Sequence, residues 1–261
     1  METLSDRMKR YEDVNRTYLT SRLPIILRID GKNFSNYTKC FRKPYDALFN
    51  KVMRETAQNL CENIEGCRFA YTQSDEISLF LVNYDNIAAR GWFKNNVQKM
   101  DSVAASMTTF FFQKNLMACI DERAMASDEY DYIDRVIDTA QNKPCVFDCR
   151  CFVLPKEEVV NYFIWRQQDC IRNSINALAC YYFPQKGLQN KNSDEKKKML
   201  LNIIGIDWED MNDAFKYGTA LYKCNFILDF EKNSPLVRKR WNFDSHTPNF
   251  VNNKNYIERF I

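Results

Sequence analysis

Residues 23–37 read LPIILRIDGKNFSNY, an apolar run that stops at an acidic residue and a glycine. The run from Ile25 to Ile29 is short and rich in β-branched residues, which is typical of a buried strand. A carboxylate at the end of such a strand is costly unless something pairs with it. Gly31 leaves its backbone open to close approach, and amides and hydroxyls follow. Asp30 and Gly31 are therefore candidates for a site that holds a metal-bound phosphate.

A second acidic pair interrupts the hydrophobic pattern farther along the chain. Residues 67–83 read CRFAYTQSDEISLFLVN, two strand-like runs on either side of Asp75 and Glu76. Such interruptions tend to fall at functional sites. If this hairpin lies beside the first strand, Asp30 and Asp75 converge, and Mg²⁺ accepts carboxylate, carbonyl and phosphate oxygens. Two carboxylates that hold two Mg²⁺ ions are a recurring site for nucleotidyl transfer. For either acid alone, a salt-bridged turn is the alternative.

The order of the predicted elements indicates an α+β fold. The first strand is followed by a helix after Pro44, the hairpin, a second helix from about Trp92 to Asn115, and a strand from Cys145 to Leu154. This order predicts a palm-like, ferredoxin-type βαββαβ sheet with helices on one face. We expect residues 1–155 to form the palm-like catalytic core. Residues 156–261 are expected to form an appended, mostly helical C-terminal part, packed on the core as one compact unit.

Three smaller segments carry expectations of their own. Residues 1–20 are predicted to form an N-terminal helix. The acidic segment from Asp121 to Asp138 is expected to be a surface excursion between the second helix and the last strand of the core. An edge strand is predicted at Phe226–Leu228.

Several short motifs occur in a fixed order between residues 23 and 222. They are Arg28-Ile29-Asp30-Gly31 with Asn33-Phe34, Lys43-Pro44 with Asp46, Phe69-Ala70-Tyr71 with Gln73-Ser74-Asp75-Glu76, Phe147-Asp148-x-Arg150, Trp165-Arg166-Gln167-x-Asp169-Cys170, and Lys216-x-Gly218-Thr219. Together they resemble the tRNA-His guanylyltransferase superfamily, whose members are template-reading 3′–5′ polymerases. The resemblance implies a nucleotidyltransferase that adds nucleotides to the 5′ end of tRNA or a similar structured RNA with an incomplete 5′ end. It also implies two Mg²⁺ ions, ATP and GTP or other nucleoside triphosphates as substrates, ATP activation of a 5′-monophosphate, and a homotetramer.

The same resemblance assigns roles to individual residues. Asp30, the Gly31 carbonyl and Asp75 would hold the metals, and Glu76 would be a further ligand or a support. Lys43 would meet phosphate, whereas an exposed lysine before a proline is the alternative. Asp46 is expected first to cap a helix. The candidate nucleotide-binding residues are Asp30, Gly31, Lys32, Asn33, Phe34, Ser35, Lys43, Asp46, Ser74, Asp75, Arg166, Asp169 and Asn173.

A polar stripe marks the predicted helix between Pro155 and Tyr182. Its members Arg166, Asp169, Asn173 and Asn176 lie three, four and three residues apart, so they share one face of this helix. We interpret the stripe as packed against the active site, where it holds nucleotide or a neighbouring loop. A hydrogen-bonded network inside the protein is the alternative.

One departure from the family motifs bears on the reaction. Residues 171–174 read IRNS, where eukaryotic family members carry His-Ile-Asn-Asn. This resembles the "-like" branch, which repairs or edits the 5′ ends of tRNAs. Addition of one guanosine (G−1) to tRNA-His is the alternative reaction. A non-catalytic RNA-binding protein is the alternative of another class, and the retained Asp30, Gly31, Asp75 and Glu76 argue against it. A nucleotide cyclase is a third possibility, within enzymes, and the motif at residues 165–169 favours the RNA enzyme over it.

The composition is that of an ordinary globular protein. The 261 residues are 45% hydrophobic and 27% charged. The charged N-terminus lacks the apolar core of a signal peptide, and no apolar run spans a bilayer, so we expect an intracellular protein, cytoplasmic or organellar. Ten scattered cysteines and a single histidine argue against a zinc site. The net charge of +3 is too small to indicate RNA, but basic clusters at residues 42–43, 186–198 and 238–240 either track a phosphate backbone or are solvated loops.

Overall fold

The strand β1 (Ile25–Gly31) lies inside an antiparallel sheet, as its apolar sequence predicts. The computed structural model describes residues 2–124, 129–227 and 237–261. The other strands are β2 (Cys67–Gln73), β3 (Glu76–Leu81), β4 (Phe147–Val153), β5 (Thr219–Ile227) and β6 (Val237–Asp244). Their order across the sheet is β4-β1-β3-β2-β5-β6, and every neighbouring pair is antiparallel.

Long helices connect the strands and short ones follow them. They are α1 (Leu4–Asp13), α2 (Phe34–Tyr37), α3 (Ala47–Asn63), α4 (Val97–Ala124), α5 (Tyr130–Asn142), α6 (Lys156–Tyr182), α7 (Gln185–Leu188), α8 (Ser193–Met199), α9 (Asp213–Tyr217) and α10 (Asn255–Glu258). In the part of the chain that the structure describes, no helix is long and apolar enough to cross a membrane.

The predicted ferredoxin-type unit is confirmed. The chain runs β1-α3-β2-β3-α4-β4, and β4-β1-β3-β2 are neighbours in the sheet. Because α3 connects β1 to β2 with β3 between them, the β2–β3 hairpin lies beside β1. The register pairs Asp30 of β1 with Glu76 of β3. The topology therefore brings the two acidic interruptions of the sequence to the same end of the sheet.

Both faces of the sheet are covered, which explains the unbroken apolar run in β1. Leu27 and Ile29 belong to a core that includes residues of α3, α4 and α5. Ile26 faces the opposite side and packs in a second core with Phe163 of α6. A strand that is buried on both faces carries apolar residues at successive positions rather than at alternate ones.

The C-terminal part adds strands as well as helices. The predicted edge strand at Phe226–Leu228 begins inside β5, and Leu228 lies outside the described residues. Strand β6 was not predicted, because Arg238, Lys239 and Arg240 are all exposed and hide its alternation. Charged residues on an edge strand prevent pairing with other chains. The division of the chain at residue 155 stays a prediction.

Two boundaries differ from the sequence-based expectation. Helix α1 ends at Asp13 rather than near residue 20. Residues 92–95 form a separate 3₁₀ turn before α4, because Phe93, Lys94 and Asn95 have positive φ angles of 49°, 54° and 65°.

The acidic segment differs most from the expectation of a surface excursion. Its second half forms α5, whose apolar residues recur at helical spacing and join the main core, with Tyr132, Ile133 and Val136 all buried. The expectation was wrong for these residues because the many charges conceal the buried face. Residues 125–128 of the segment lie outside the described residues.

Replacing Phe163 tests whether α6 is part of the folding core. Its ring is fully buried and meets Phe69 of β2 at 4.9 Å between ring centroids. We expect Phe163→Ala to lower the free energy of unfolding by about 3–5 kcal/mol, because the ring leaves a cavity. Phe110→Ala removes the same side chain from a position that is 61% exposed and should change stability by about 0.5 kcal/mol or less. Urea denaturation measures both, and equal losses would contradict the assignment.

Candidate active site

Asp75 lies against the end of β1, in the tight turn between β2 and β3. The Gly31 amide donates a hydrogen bond of 3.2 Å to the Asp75 carbonyl. A Cβ atom placed on Gly31 would clash with the Phe34 ring and lie 2.9 Å from Asp75 Oδ2, so glycine leaves room for both the ring and the carboxylate. Ser74 has a positive φ of 49° and donates from its hydroxyl to Asp75 Oδ1 at 2.8 Å. The turn therefore holds the Asp75 carboxylate beside the backbone of Gly31.

The charge of Asp30 acts on Asp75. Burial raises the pKa of Asp75 above its ordinary value, the Ser74 hydroxyl lowers it, and the negative charge of Asp30 raises it again. Asp30 itself has a half-exposed side chain, and the nearest guanidinium, that of Arg28, is 3.8 Å away. The structure thus brings the two predicted metal ligands together and does not lock either of them onto an arginine.

Glu76 has a different environment from the two aspartates. Its Oε2 accepts from Arg166 Nη1 at 2.8 Å and from Arg28 Nε at 3.0 Å. Its Oε1 is buried and accepts no hydrogen bond from any described residue. Burial raises the pKa of Glu76, although both arginines lower it. Glu76 therefore uses one oxygen to hold the arginines, and its other oxygen has no partner among the described residues.

The polar stripe of α6 extends from Glu76 to a cavity beside Asp75. Arg166 is almost fully buried and also pairs with Asp169 Oδ2 at 3.2 Å. The same Asp169 oxygen accepts from Asn173 Nδ2 at 3.3 Å. Asp169 also pairs with the exposed Arg172. The alternative of a network inside the protein is met only in part, because Arg166 is buried while Asn173 is exposed, and the stripe also reaches the cavity at Asn173.

A cavity of about 740 Å³ opens beside Asp75. Besides Asp75, its polar wall includes five of the candidate residues, Ser35, Lys43, Asp46, Ser74 and Asn173. Lys43 is exposed and makes no hydrogen bond or ion pair with any described residue. Asp46 caps α3, as predicted, by accepting from the Phe49 amide at 2.9 Å. The cavity is large enough for a nucleotide and has an unpaired cation on its wall.

The remaining candidate residues lie around the turn after β1. Lys32 and Asn33 are exposed, and the Lys32 amide donates to the Val146 carbonyl at 2.8 Å. Phe34 is buried among aromatic rings and packs, for example, against the ring of Phe147, with 4.7 Å between the ring centroids. This packing supports the turn. Of these three residues only Phe34 borders the cavity.

Sequence reasoning missed an aromatic part of the cavity wall. The rings of Tyr45 and Phe215 stack at 4.5 Å between centroids, and both border the cavity. The Tyr45 hydroxyl donates to the Ser174 carbonyl of α6 at 3.0 Å. Phe215 comes from α9, far along the chain, so no local pattern pairs it with Tyr45.

The oxygen-rich residues fit the predicted magnesium site. Among the described residues, no three His, Cys, Asp or Glu side chains surround a common point. The predicted set needs fewer, because it contains two carboxylates and a backbone carbonyl and leaves the other positions to phosphate and water. The fit rests on the raised pKa of Asp75 beside Asp30 and on the unpartnered Oε1 of Glu76.

Comparison with known proteins assigns the chain to a family. The family model for Thg1, tRNAHis guanylyltransferase, matches residues 5–155, more than half of the chain. The chain belongs to the tRNAHis guanylyltransferase family. It is therefore a nucleotidyltransferase of this family, as predicted, and the family acts on tRNA.

Two solved structures of relatives have the same fold, and a further relative is similar in sequence. A bacterial tRNA(His) guanylyltransferase (Thg1)-like protein in complex with ATP is 37% identical, with a TM-score of 0.82 over 99% of each chain. A bacterial Thg1-like protein in complex with GTP is 36% identical, with a TM-score of 0.77 over 98% of each chain. The tRNA(His) guanylyltransferase of Debaryomyces hansenii is 28% identical over 83% of this chain and 78% of that protein.

Removing the charge of Asp75 should stabilise this member of the family. Because the pKa of Asp75 is raised, the folded state keeps a proton over a pH range in which the unfolded chain has lost it. Stability therefore falls as the pH rises through that range, and the ionised group is unfavourable at neutral pH without cations. We expect Asp75→Asn to melt above the wild type at pH 7.5 with a chelator, and the difference to vanish in acid.

The matched control for this melting experiment is Asp85→Asn. Asp85 is exposed and pairs with Arg68 near the other end of β3, so its replacement should not stabilise the protein. Addition of Mg²⁺ should raise the melting temperature of the wild type and not that of Asp75→Asn. A lower melting temperature for Asp75→Asn at pH 7.5 without cations would contradict the electrostatic account.

Arg166 should matter more for stability than a neighbouring exposed arginine. Arg166→Ala leaves the buried Glu76 with one guanidinium, and breaking a buried pair costs about 3–5 kcal/mol. Arg172→Ala breaks an exposed pair with Asp169 on the same helix and should cost about 1 kcal/mol or less. Chemical denaturation of both variants measures the difference, and similar losses would show that Glu76 does not depend on Arg166.

Proposed function

We propose that the protein adds nucleotides in the 3′–5′ direction to the 5′ end of tRNA or tRNA-like RNA, and that the opposite strand selects each nucleotide. The observation that carries this proposal is that Asp75, which borders a cavity of about 740 Å³, lies against the Gly31 backbone and within reach of the charge of Asp30. Family membership supports it, as do the solved Thg1-like relatives in complex with ATP and GTP.

Asp30, the Gly31 carbonyl and Asp75 would hold two Mg²⁺ ions. When bound, these ions stabilise the negative charge that develops on phosphate oxygens during nucleotidyl transfer. Arg28 and Arg166 hold Glu76 in place beside them. Because both arginines are used on Glu76, the two aspartates remain available for cations.

The cavity wall provides the groups that would bind nucleotide and the RNA 5′ phosphate. The Ser35 hydroxyl and the second N–H of the Asn173 amide border the cavity as hydrogen-bond donors, and the Ser74 hydroxyl, which donates to Asp75, can still accept. Lys43 offers an ammonium group without a partner among the described residues, and phosphate binding would neutralise it. The stacked rings of Tyr45 and Phe215 give the cavity an apolar side against which a nucleobase can pack.

The proposed reaction has two steps when the RNA carries a 5′-monophosphate. A 5′-phosphate oxygen attacks the α-phosphorus of ATP, and pyrophosphate leaves. The 3′-hydroxyl of the incoming nucleotide then attacks the activated 5′-phosphorus, loses its proton, and displaces AMP. An RNA with a 5′-triphosphate needs only the second step, and pyrophosphate is then the leaving group.

Repair is proposed ahead of a dedicated addition of one guanosine because residues 171–174 read IRNS, in place of the His-Ile-Asn-Asn of eukaryotic family members. Arg172 pairs with Asp169, and the buried Ser174 hydroxyl accepts from the Trp208 indole at 3.1 Å, so this part of α6 is tied to neighbouring residues. The chain is 37% identical to a bacterial Thg1-like protein and 28% identical to the guanylyltransferase of Debaryomyces hansenii. Addition of G−1 to tRNA-His is the second candidate reaction, and a homotetramer is the proposed assembly.

The proposal is tested with a tRNA that lacks its first nucleotide, incubated with ATP, Mg²⁺ and each labelled nucleoside triphosphate. We expect extension by the nucleotide that pairs with the opposite strand. Addition of guanosine whatever the opposite base would support the second candidate reaction. Binding of the tRNA without any extension would indicate a non-catalytic RNA-binding protein and would refute the proposal.

In the same assay, Asp30→Ala and Asp75→Ala should each reduce extension by about 10²-fold or more, because each removes electrostatic stabilisation at the reacting phosphate. The affinity for tRNA should change little, since neither side chain is needed to contact the RNA backbone. Asp85→Ala, near the other end of β3, is the control and should extend like the wild type. Full activity in either of the first two variants would remove the metal assignment.

A further inference from the structure

Helix α5 packs on the loop that carries Lys43. This loop, residues 41–46, precedes α3, and we call it the Lys43 loop. Tyr132, in the first turn of α5, is buried and donates from its hydroxyl to Asp46 Oδ2 at 2.6 Å. Burial and the bond to Asp46 both raise the pKa of Tyr132, so its hydroxyl stays protonated and remains a donor.

Asp46 holds both ends of the Lys43 loop. Besides the Tyr132 hydroxyl, its Oδ2 accepts from the Arg42 amide at 2.7 Å, and its Oδ1 accepts from the Phe49 amide at 2.9 Å. One buried carboxylate therefore joins the start of the loop, the first turn of α3 and α5. A carboxylate with three good donors resists displacement, because each lost bond to a charged group costs about 1.5–3 kcal/mol.

The Arg42 side chain makes a second connection between the loop and α5. Its guanidinium pairs with Glu129 at 2.7 Å, at the start of α5, and lies 4.6 Å from the centre of the Tyr132 ring. Glu129 also accepts from Arg123 of α4 at 2.9 Å, so the pair is tied to a second helix. The residue before Lys43 is thus held through its amide and through its side chain.

Lys43 is the residue of this loop that is left unpaired among the described ones. Its backbone follows the doubly held Arg42, while its side chain borders the cavity without a hydrogen bond or ion pair to a described residue. Because the backbone at Lys43 is already ordered, less conformational entropy of the loop is lost when the Lys43 ammonium group binds a phosphate. The contacts from α5 therefore act on the position of Lys43 rather than on its charge.

We propose that Tyr132 and Glu129 are positioning residues that hold the Lys43 loop for activation of the RNA 5′-monophosphate. This role rests on the proposed function, in which Lys43 meets phosphate. Neither residue borders the cavity, and both act through Asp46 and Arg42. The role is specific to the activation step, because an RNA that already carries a 5′-triphosphate does not need that step.

The test compares one truncated tRNA in two forms, a 5′-monophosphate with ATP and a 5′-triphosphate, on the full-length protein. We expect Tyr132→Phe to lower kcat/KM for the monophosphate form about tenfold, which corresponds to about 1.4 kcal/mol, and to leave the triphosphate form within about twofold. Glu129→Gln changes a partly exposed group at the start of α5, keeps the fold, and should give the same selective loss at about threefold.

Tyr256→Phe is the matched control. The Tyr256 hydroxyl also donates to a carboxylate at 2.6 Å, that of Asp244, but it lies in the second core, away from the Lys43 loop. This variant should treat both RNAs like the wild type. Adding Tyr132→Phe to Lys43→Ala should cause no further loss, because Tyr132 acts through Lys43.

The outcomes separate the two proposals. Equal losses on both RNAs, or no loss on either, would overturn the positioning role while the proposed function stands. A further loss in the double variant would do the same. A wild type that extends neither RNA would refute the proposed function and the positioning role with it.

Discussion

The negative charge of Asp30 acts on two partly buried carboxylates, those of Asp75 and Glu76, where β1 ends against the turn between β2 and β3. Burial and the charge of Asp30 raise the pKa of Asp75, and burial also raises that of Glu76. The protein supplies two guanidinium groups, both within 3.0 Å of Glu76. Among the described residues Asp75 has no cationic partner, and Asp30 has only Arg28 at 3.8 Å. A divalent cation would correct this imbalance.

The rest of the structure depends on this concentration of charge. Arg166 attaches α6 to the second face of the sheet through its ion pair with Glu76. Arg166 also pairs with Asp169, Asp169 accepts a hydrogen bond from Asn173, and Asn173 borders the cavity. The packing of Phe163 in the second core keeps α6 in place. On the other side, Asp46 and α5 order the loop that carries Lys43. The turn that carries Asp75 and the loop that carries Lys43 therefore border the same cavity, and different helices hold each of them in place.

Local patterns in the sequence were enough to predict the central part of the fold. The apolar run of β1 and the interrupted hairpin at Asp75 identify strands, and the helix between them implies that the hairpin lies beside β1. This topology is also why the approach of Asp30 and Asp75 could be predicted. Strand β6 could not be, because charges on its exposed edge conceal the alternation. Tyr132 and Asp46 are 86 residues apart, and no local period joins them.

The central claim is that Asp30 and Asp75 share divalent cations beside the cavity, and anomalous diffraction tests it most directly. Crystals grown with Mn²⁺ and GTP allow the metal to be located independently of the protein atoms. The account predicts anomalous peaks about 2.1 Å from carboxylate oxygens of both aspartates, with one peak also near the Gly31 carbonyl. Nucleotide bound in the cavity without a peak at these two side chains, or with metal on other residues alone, would contradict it.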